Sequence, residues 1–171
     1  MKSLILNKVP RIIKGKPILE RALNVKLEIK GNKVEINGNS VDEYTAEKVI
    51  EALDFGFPFK TALLIKEEDL IFEIINIKHH TTKTDFVRIR ARIIGRNGKI
   101  LKTLSNLTDC FFELKDNEVG VIGYPENIET ANQALISLIK GSKIGNVYAY
   151  LEKHHPQEVV DLGLKEVKKK Q

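Results

Sequence analysis

Residues 24–53 and 109–138 are two copies of one stretch, set 85 positions apart and aligned without a gap. Eight positions are identical: Glu28 with Glu113, Lys30 with Lys115, Asn32 with Asn117, Val34 with Val119, Gly38 with Gly123, Thr45 with Thr130, Ala46 with Ala131 and Leu53 with Leu138. A unit present twice limits the chain to architectures that contain the same substructure twice. In the first copy Val25, Leu27 and Ile29 alternate with polar residues, as do Val34 and Ile36, around a polar turn at Gly31-Asn32. That period of two predicts a β-hairpin. Ala46, Val49, Ile50 and Leu53 then recur at helical spacing, as do Ala131, Ala134, Leu135 and Leu138. Asn39-Ser40 supplies a capping oxygen, Pro125-Glu126-Asn127 is expected to supply the equivalent, and Gly141 suits a helix stop.

More structure is expected before the second hairpin. Leu70–Ile77 reads as a strand. Phe86, Ile89 and Ile93 fall on one side of a helix that breaks at Gly95-Arg96-Asn97-Gly98. Helical spacing resumes at Leu101, Leu104 and Leu107 and ends near Thr108-Asp109. The first copy departs from this pattern. At the same offset it holds Pro10-Arg11-Ile12-Ile13, and Gly15-Lys16-Pro17-Ile18 lacks a second glycine. Pro17 suits the first turn of a short helix and is expected to break a longer one.

Charge gathers around the glycine pair. The formal net charge is +5, but residues 1–69 hold 12 basic against 11 acidic side chains. Between Lys78 and Lys102 eight bases (Lys78, Lys83, Arg88, Arg90, Arg92, Arg96, Lys99, Lys102) face a single acid, Asp85. Glycines at both ends of a four-residue loop permit a sharp turn and a close approach by another backbone. The helix that follows offers unpaired N–H groups and the positive end of its dipole, a favourable place for a phosphate. Arg96, Lys99 and Lys102 add full charges there. The pattern points to a sugar–phosphate strand as ligand.

A Gly-x-x-Gly loop between two helices, in the order strand, helix, loop, helix, strand, strand, helix, resembles the KH domain of eukaryotic topology, whose loop clamps four nucleotides of single strand. A degenerate first module followed by an intact second is similar to the archaeal form of the Partner-of-Nob family of small-subunit ribosome assembly factors. Gly56-Phe57-Pro58 with Ala62-Leu63-Leu64 resembles that family's connector, and Gly141 with Val147-Tyr148 and Leu151-Glu152 its closing helix. The resemblance implies an α+β chain of two tandem type I KH domains, each a three-stranded antiparallel sheet packed on helices. The first, with the connector, would span 1–69, the second 70–155, and a flexible basic tail 156–171. It implies an RNA site at Arg92, Ile94, Gly95, Arg96, Asn97, Gly98, Lys99 and Lys102, with Ile94 as the groove residue and the turn Lys115–Glu118 as the variable loop opposite. It also implies binding to the 3′ end of 16S-type ribosomal RNA during small-subunit maturation. Contact with the endonuclease that trims that end, and with a translation initiation factor subunit, belongs to the same implication. The first module, lacking the loop, is expected to serve structure or partner docking, with Lys8, Arg11, Lys14 and Lys16 left for diffuse phosphate contact.

Other functions find little support. No stretch approaches the roughly 18 apolar residues of a membrane span, and the opening MKSLILNKVP is too short in apolar residues for a signal peptide. A single cysteine, Cys110, makes no internal disulfide, so a reduced, cytoplasmic setting is the expectation. Cys110 reads as a buried small hydrophobe, and His154-His155 with Glu152 lack the further ligands of a metal site. No catalytic motif, metal or cofactor is expected, so the chain reads as a non-enzyme. A protein-interaction adaptor with incidental RNA contact stays open as the alternative.

Overall fold

The computed structural model describes residues 1–155, together with a two-residue antiparallel pairing of Val160–Asp161 with Lys165–Glu166. The expected tail over 156–171 otherwise lies outside the described residues. The elements run β1 (Lys2–Ile5), α1 (Val9–Leu23), β2 (Lys26–Lys30), β3 (Lys33–Asn37), α2 (Ser40–Phe55), α3 (Phe59–Glu67), β4 (Ile71–Asn76), α4 (Phe86–Ile94), α5 (Lys99–Thr108), β5 (Phe111–Lys115), β6 (Glu118–Gly123), α6 (Pro125–Lys140) and α7 (Ile144–His154). The class is α+β. Both three-stranded sheets are antiparallel and share one topology, β1-β3-β2 and β4-β6-β5.

The repeat is visible in the geometry. Strands β2 and β3 and helix α2 begin 85 residues before β5, β6 and α6, and the two helices keep that interval at both ends. Lys2 pairs with Ile36 as Glu73 pairs with Val121, so the interval is only 71 at the leading strands. Fourteen residues are therefore missing from the first copy between its leading strand and its hairpin. The consequence is a single helix. Where the second copy has α4, a loop and α5, the first has only α1, and Pro17 lies inside it. The expected break at Pro17 does not occur. A proline inside a helix costs about 3 kcal/mol, but Pro17 is on the exposed side, where the freed carbonyl of Ile13 is open to water. The opposite side buries Ile12, Leu19 and Leu23 almost completely, at about 1.5 to 3 kcal/mol each.

Capping follows the expectation in one copy and departs from it in the other. Asn39 caps α2, its Oδ1 accepting from the Asp42 N–H at 2.8 Å. Helix α6 has no side-chain cap; Tyr124 precedes it, and Pro125 at the first turn has no N–H to satisfy. The connector is itself a helix, α3, with Ala62 and Ile65 buried.

By contacts the chain forms two compact units, residues 1–76 with 111–123, and residues 77–110 with 124 onward. The first unit holds both sheets with α1, α2 and α3. Within it, Phe55, Phe57 and Phe72 pack ring to ring with centroids 5.7–6.1 Å apart. They lie over Gly120 of β6, where a Cβ would come within 2.9 Å of the Phe55 and Phe57 rings. The α1 end is held by Asp54 of α2, whose Oδ1 accepts from the N–H groups of Asn7 (2.8 Å) and Lys8 (2.7 Å). The second unit packs α4, α5, α6 and α7 around Ile89, Ile93, Leu104, Leu135 and Leu138.

Candidate nucleic-acid interface

Helix α4 starts on Asp85, whose Oδ1 accepts from the Arg88 N–H at 3.1 Å. It ends on Gly95, which takes φ 75°, a value that L side chains resist, and donates its N–H to the Ala91 carbonyl at 2.8 Å. The chain then makes one tight 3₁₀ turn over Arg96–Gly98, closed by Gly98 N–H to the Gly95 carbonyl at 3.3 Å. Gly98, at φ 72°, is the last residue before α5, and no side chain caps that helix.

The two glycines serve different needs. A Cβ on Gly95 would lie 2.5–2.8 Å from the Ile100 side chain, so the turn is tight as well as left-handed. A Cβ on Gly98 would meet nothing within 4 Å. That open space lies directly over the start of α5. A ligand backbone can approach there, and a side chain would stand in its way. Asn97 sits between them at φ 55°, a conformation asparagine tolerates better than most residues.

The expected site residues group around this turn. Arg96, Asn97 and Lys99 are exposed, as is Lys102 on the next turn of α5. Ile94 is 36% exposed while its neighbour Ile93 is fully buried, so an apolar side chain stands in solvent beside the glycines. Arg92 is half-buried one turn before Gly95 and lines a separate cleft with Lys83 and Arg88. Leu104 belongs to the core and Leu101 is half-buried. Among the described residues, Arg92, Arg96, Lys99 and Lys102 have no carboxylate within ion-pair distance. The turn at Lys115–Glu118 is only two residues long, with Asp116 at φ 52°.

The first copy holds none of this. The positions equivalent to the glycines fall in the opening turn of α1. Arg11, expected to remain for diffuse phosphate contact, is committed to structure. Its guanidinium donates to the Leu53 carbonyl at 3.0 Å and to the Phe57 carbonyl at 2.5 Å, and lies 5.5 Å from the Phe59 ring. Gly15 is a packing residue, since a Cβ there would collide with the same ring. Cys110 is buried, and its thiol is pushed up to about 11 by the loss of water around it, so it holds its proton near neutral pH and is no nucleophile. The Asp85 cap was discoverable in the sequence, as an Asp immediately before an apolar-periodic run. The Lys83–Arg88–Arg92 cleft was not, because it depends on α6 lying beside α4.

Comparison with known proteins bears on this geometry. Residues 71–156 match the family model for the eukaryotic-type KH domain (type I), in the form of the second KH domain of PNO1. A KH domain-containing protein of Methanocaldococcus jannaschii is 26% identical over 168 residues, covering 89% of this chain and 74% of the relative. The pre-rRNA-processing protein pno1 of Aspergillus oryzae is 31% identical over 147 residues, covering 80% of this chain and 56% of that protein. The chain thus spans little more than half the length of that fungal relative. Dim2p of Pyrococcus horikoshii OT3 superposes with a TM-score of 0.82 at 25% identity, over 89% of this chain and 98% of that one. A chain from a complex of a/eIF2alpha, aDim2p and rRNA from the same organism superposes with a TM-score of 0.82 at 26% identity, covering 90% and 93%.

Proposed function

The chain belongs to the type I KH family in its PNO1 form, and from that membership we propose that it binds single-stranded RNA at the 3′ end of 16S-type rRNA during small-subunit maturation. The observation that carries the reading is the turn at Gly95–Gly98. It presents Arg96 and Asn97 to solvent, is left-handed at both glycines and uncapped ahead of α5, and is flanked by cations that meet no carboxylate among the described residues. A phosphodiester approaching Gly98 meets the N-terminus of α5, with Arg96 and Lys99 to either side. The proposed contacts are Arg92, Ile94, Gly95, Arg96, Asn97, Gly98, Lys99 and Lys102. Relatives named for pre-rRNA processing, and a neighbour solved with rRNA, support the same ligand.

The finer architecture is part of the proposal. We read residues 1–69 and 70–155 as tandem type I KH modules, the first without its loop, supported by the shared strand order and the 85-residue interval. The role is that of a non-catalytic cytoplasmic binding factor; among the described residues no helix is long and apolar enough to cross a membrane. A translation initiation factor subunit is the proposed protein partner, supported by the a/eIF2alpha in the similar complex. Contact with the endonuclease that trims the rRNA rests on the family resemblance alone.

The test is the full chain carrying Arg96→Asp with Asn97→Asp. Both side chains are exposed, so the melting temperature should hold, while two carboxylates now face the phosphate path. Affinity for a single-stranded oligonucleotide of the 16S-type 3′ end should fall more than tenfold, about 1.4 kcal/mol. Undiminished binding defeats the clamp. Equal wild-type affinity for a scrambled oligonucleotide would favour the adaptor reading.

A further inference from the structure

A second cationic cleft lies in the same compact unit as the glycine turn, at the other end of α4. It has a volume of about 470 Å3 and is lined by Lys83, Asp85, Arg88 and Arg92 from the α4 side and by Leu138 and Gly141 from the end of α6. Gly141 matters to its shape. At φ 101° it ends α6, and a Cβ placed on it would lie 3.4 Å from Lys83 Nζ and 3.6 Å from an Arg92 guanidinium nitrogen. Two cations thus converge over bare backbone. Next to this cleft, and sharing Lys83, a second depression is lined by His79, His80 and Lys140.

Charge and connectivity say what fits there. Among the described residues, Lys83, Arg88, Arg92 and Lys140 have no ion-pair partner. The one acid in the cleft, Asp85, is engaged as the cap of α4. Three cations, Lys83, Arg88 and Arg92, line the cleft against the single carboxylate of Asp85, so it keeps a net positive charge, and an anion entering between the cations relieves their mutual repulsion. The apolar floor is no docking surface, since Ile89, Leu138 and Ile139 are each 7% exposed or less. What the cleft offers outward is positive charge. Arg88 and Arg92 are four residues apart, a rise of about 6 Å along α4, and Gly95 follows three residues later. The cations therefore form a track that leads to the glycine turn.

We propose that this cleft is a second phosphodiester site, which takes the RNA strand beyond the nucleotides held at Gly95–Gly98. The inference rests on the RNA reading given above. It assigns Lys83 and Arg88 as phosphate contacts and extends the strand bound by this unit past the four nucleotides of a single loop. Phosphate contacts of this kind give affinity and a salt dependence but no base preference.

The experiment uses the full chain with Lys83→Gln and Arg88→Gln together, which leaves the glycine turn untouched. Binding is measured to a four-nucleotide RNA and to ten-nucleotide RNAs that extend it at the 5′ or the 3′ end, over a range of salt. The tetramer should bind the variant and the wild type alike. One of the two extended strands should lose about tenfold in affinity, and its log–log salt slope should fall by about 1.4, at roughly 0.7 per phosphate contact on a single strand. Unchanged affinity and slope for both extended strands would overturn the second site. So would a proportional loss for the tetramer, because the substitutions would then act on the loop. A wild type that binds neither length would instead bring down the RNA reading itself, a result separable from the other two.

Discussion

The two hairpins are built alike, yet their outer faces live in different surroundings. Glu28 and Glu113 are equivalent and identical, as are Lys30 and Lys115. In the first copy, Glu28 is exposed and 3.7 Å from Lys30, and Glu35 pairs with both Lys30 and Lys33. In the second copy the position of Glu35 is taken by Gly120, and the rings of Phe55 and Phe57 lie where its side chain would be. Lys115 lies 5.9 Å from the Phe55 ring, and Glu113 is half-buried near Lys8 and Arg11. One hairpin face is solvated by charge, while the other is sealed by the end of the first copy. The same division holds for cations. Several of the first copy meet carboxylates, as in the pairs Lys2–Glu47, Lys33–Glu35 and Lys48–Glu51, whereas among the described residues Arg96, Lys99 and Lys102 at the glycine turn meet none. The lesson is that duplication kept the scaffold and divided the work, the first copy supporting and the second exposing charge.

The largest effect should come from breaking the sealed face. Phe57 is 1% exposed and touches both other rings, so Phe57→Ala should cost about 3–5 kcal/mol in urea unfolding. A cost under about 1 kcal/mol would mean the outer face of the second sheet is not sealed by the first copy. Next in size is a contrast between glycines. Gly15→Ala drives the half-buried Phe59 ring off its seat and with it the Arg11 stacking, against a helix-propensity gain of up to about 1 kcal/mol. The net should be a stability loss of about 1 kcal/mol with RNA affinity unchanged. Gly98→Ala should cost a similar 1 to 2 kcal/mol through its left-handed backbone, but also at least tenfold in RNA affinity. Parallel losses of RNA affinity in both variants would show that the first copy shares in the grip.

Much of this was legible in the chain. The 85-residue interval placed hairpin and helix in each copy because period-two and period-3.6 patterns survive wherever one face is buried. The glycine turn was legible because it interrupts two amphipathic helices at a point where neither apolar pattern continues. What escaped was set by tertiary contact. Pro17 is a breaker by local rules, and only the burial of Ile12, Leu19 and Leu23 holds α1 continuous through it. Arg11 reads as a surface base until the end of α2 brings the Leu53 and Phe57 carbonyls to it. The helix α3 was hidden in a stretch that resembled a connector, and its buried Ala62 and Ile65 form too short a pattern to stand out.

The smallest effect sharpens the same contrast through pH. Burial is the leading cause that holds the Glu113 carboxyl above its ordinary value of 4.5, against the pull of Lys8 and Arg11, which favour the charged form. A carboxyl whose folded value is raised binds its proton more readily in the native state than in the unfolded one. Its contribution therefore favours folding at acid pH, below 4.5, and is lost as pH rises through the folded value. Near neutral pH the charge is a small burden on the sealed face. Glu113→Gln should then raise the melting temperature slightly near neutral pH, and the gain should shrink as the buffer falls through the raised folded value and be gone below 4.5. Glu28→Gln, at the equivalent position on the solvated face, exchanges an exposed carboxylate beside Lys30 and should show no such gain. Equal behaviour of the two variants would mean that the outer faces of the two hairpins are electrostatically alike, and that the rings of Phe55 and Phe57 do not shield Glu113 from water.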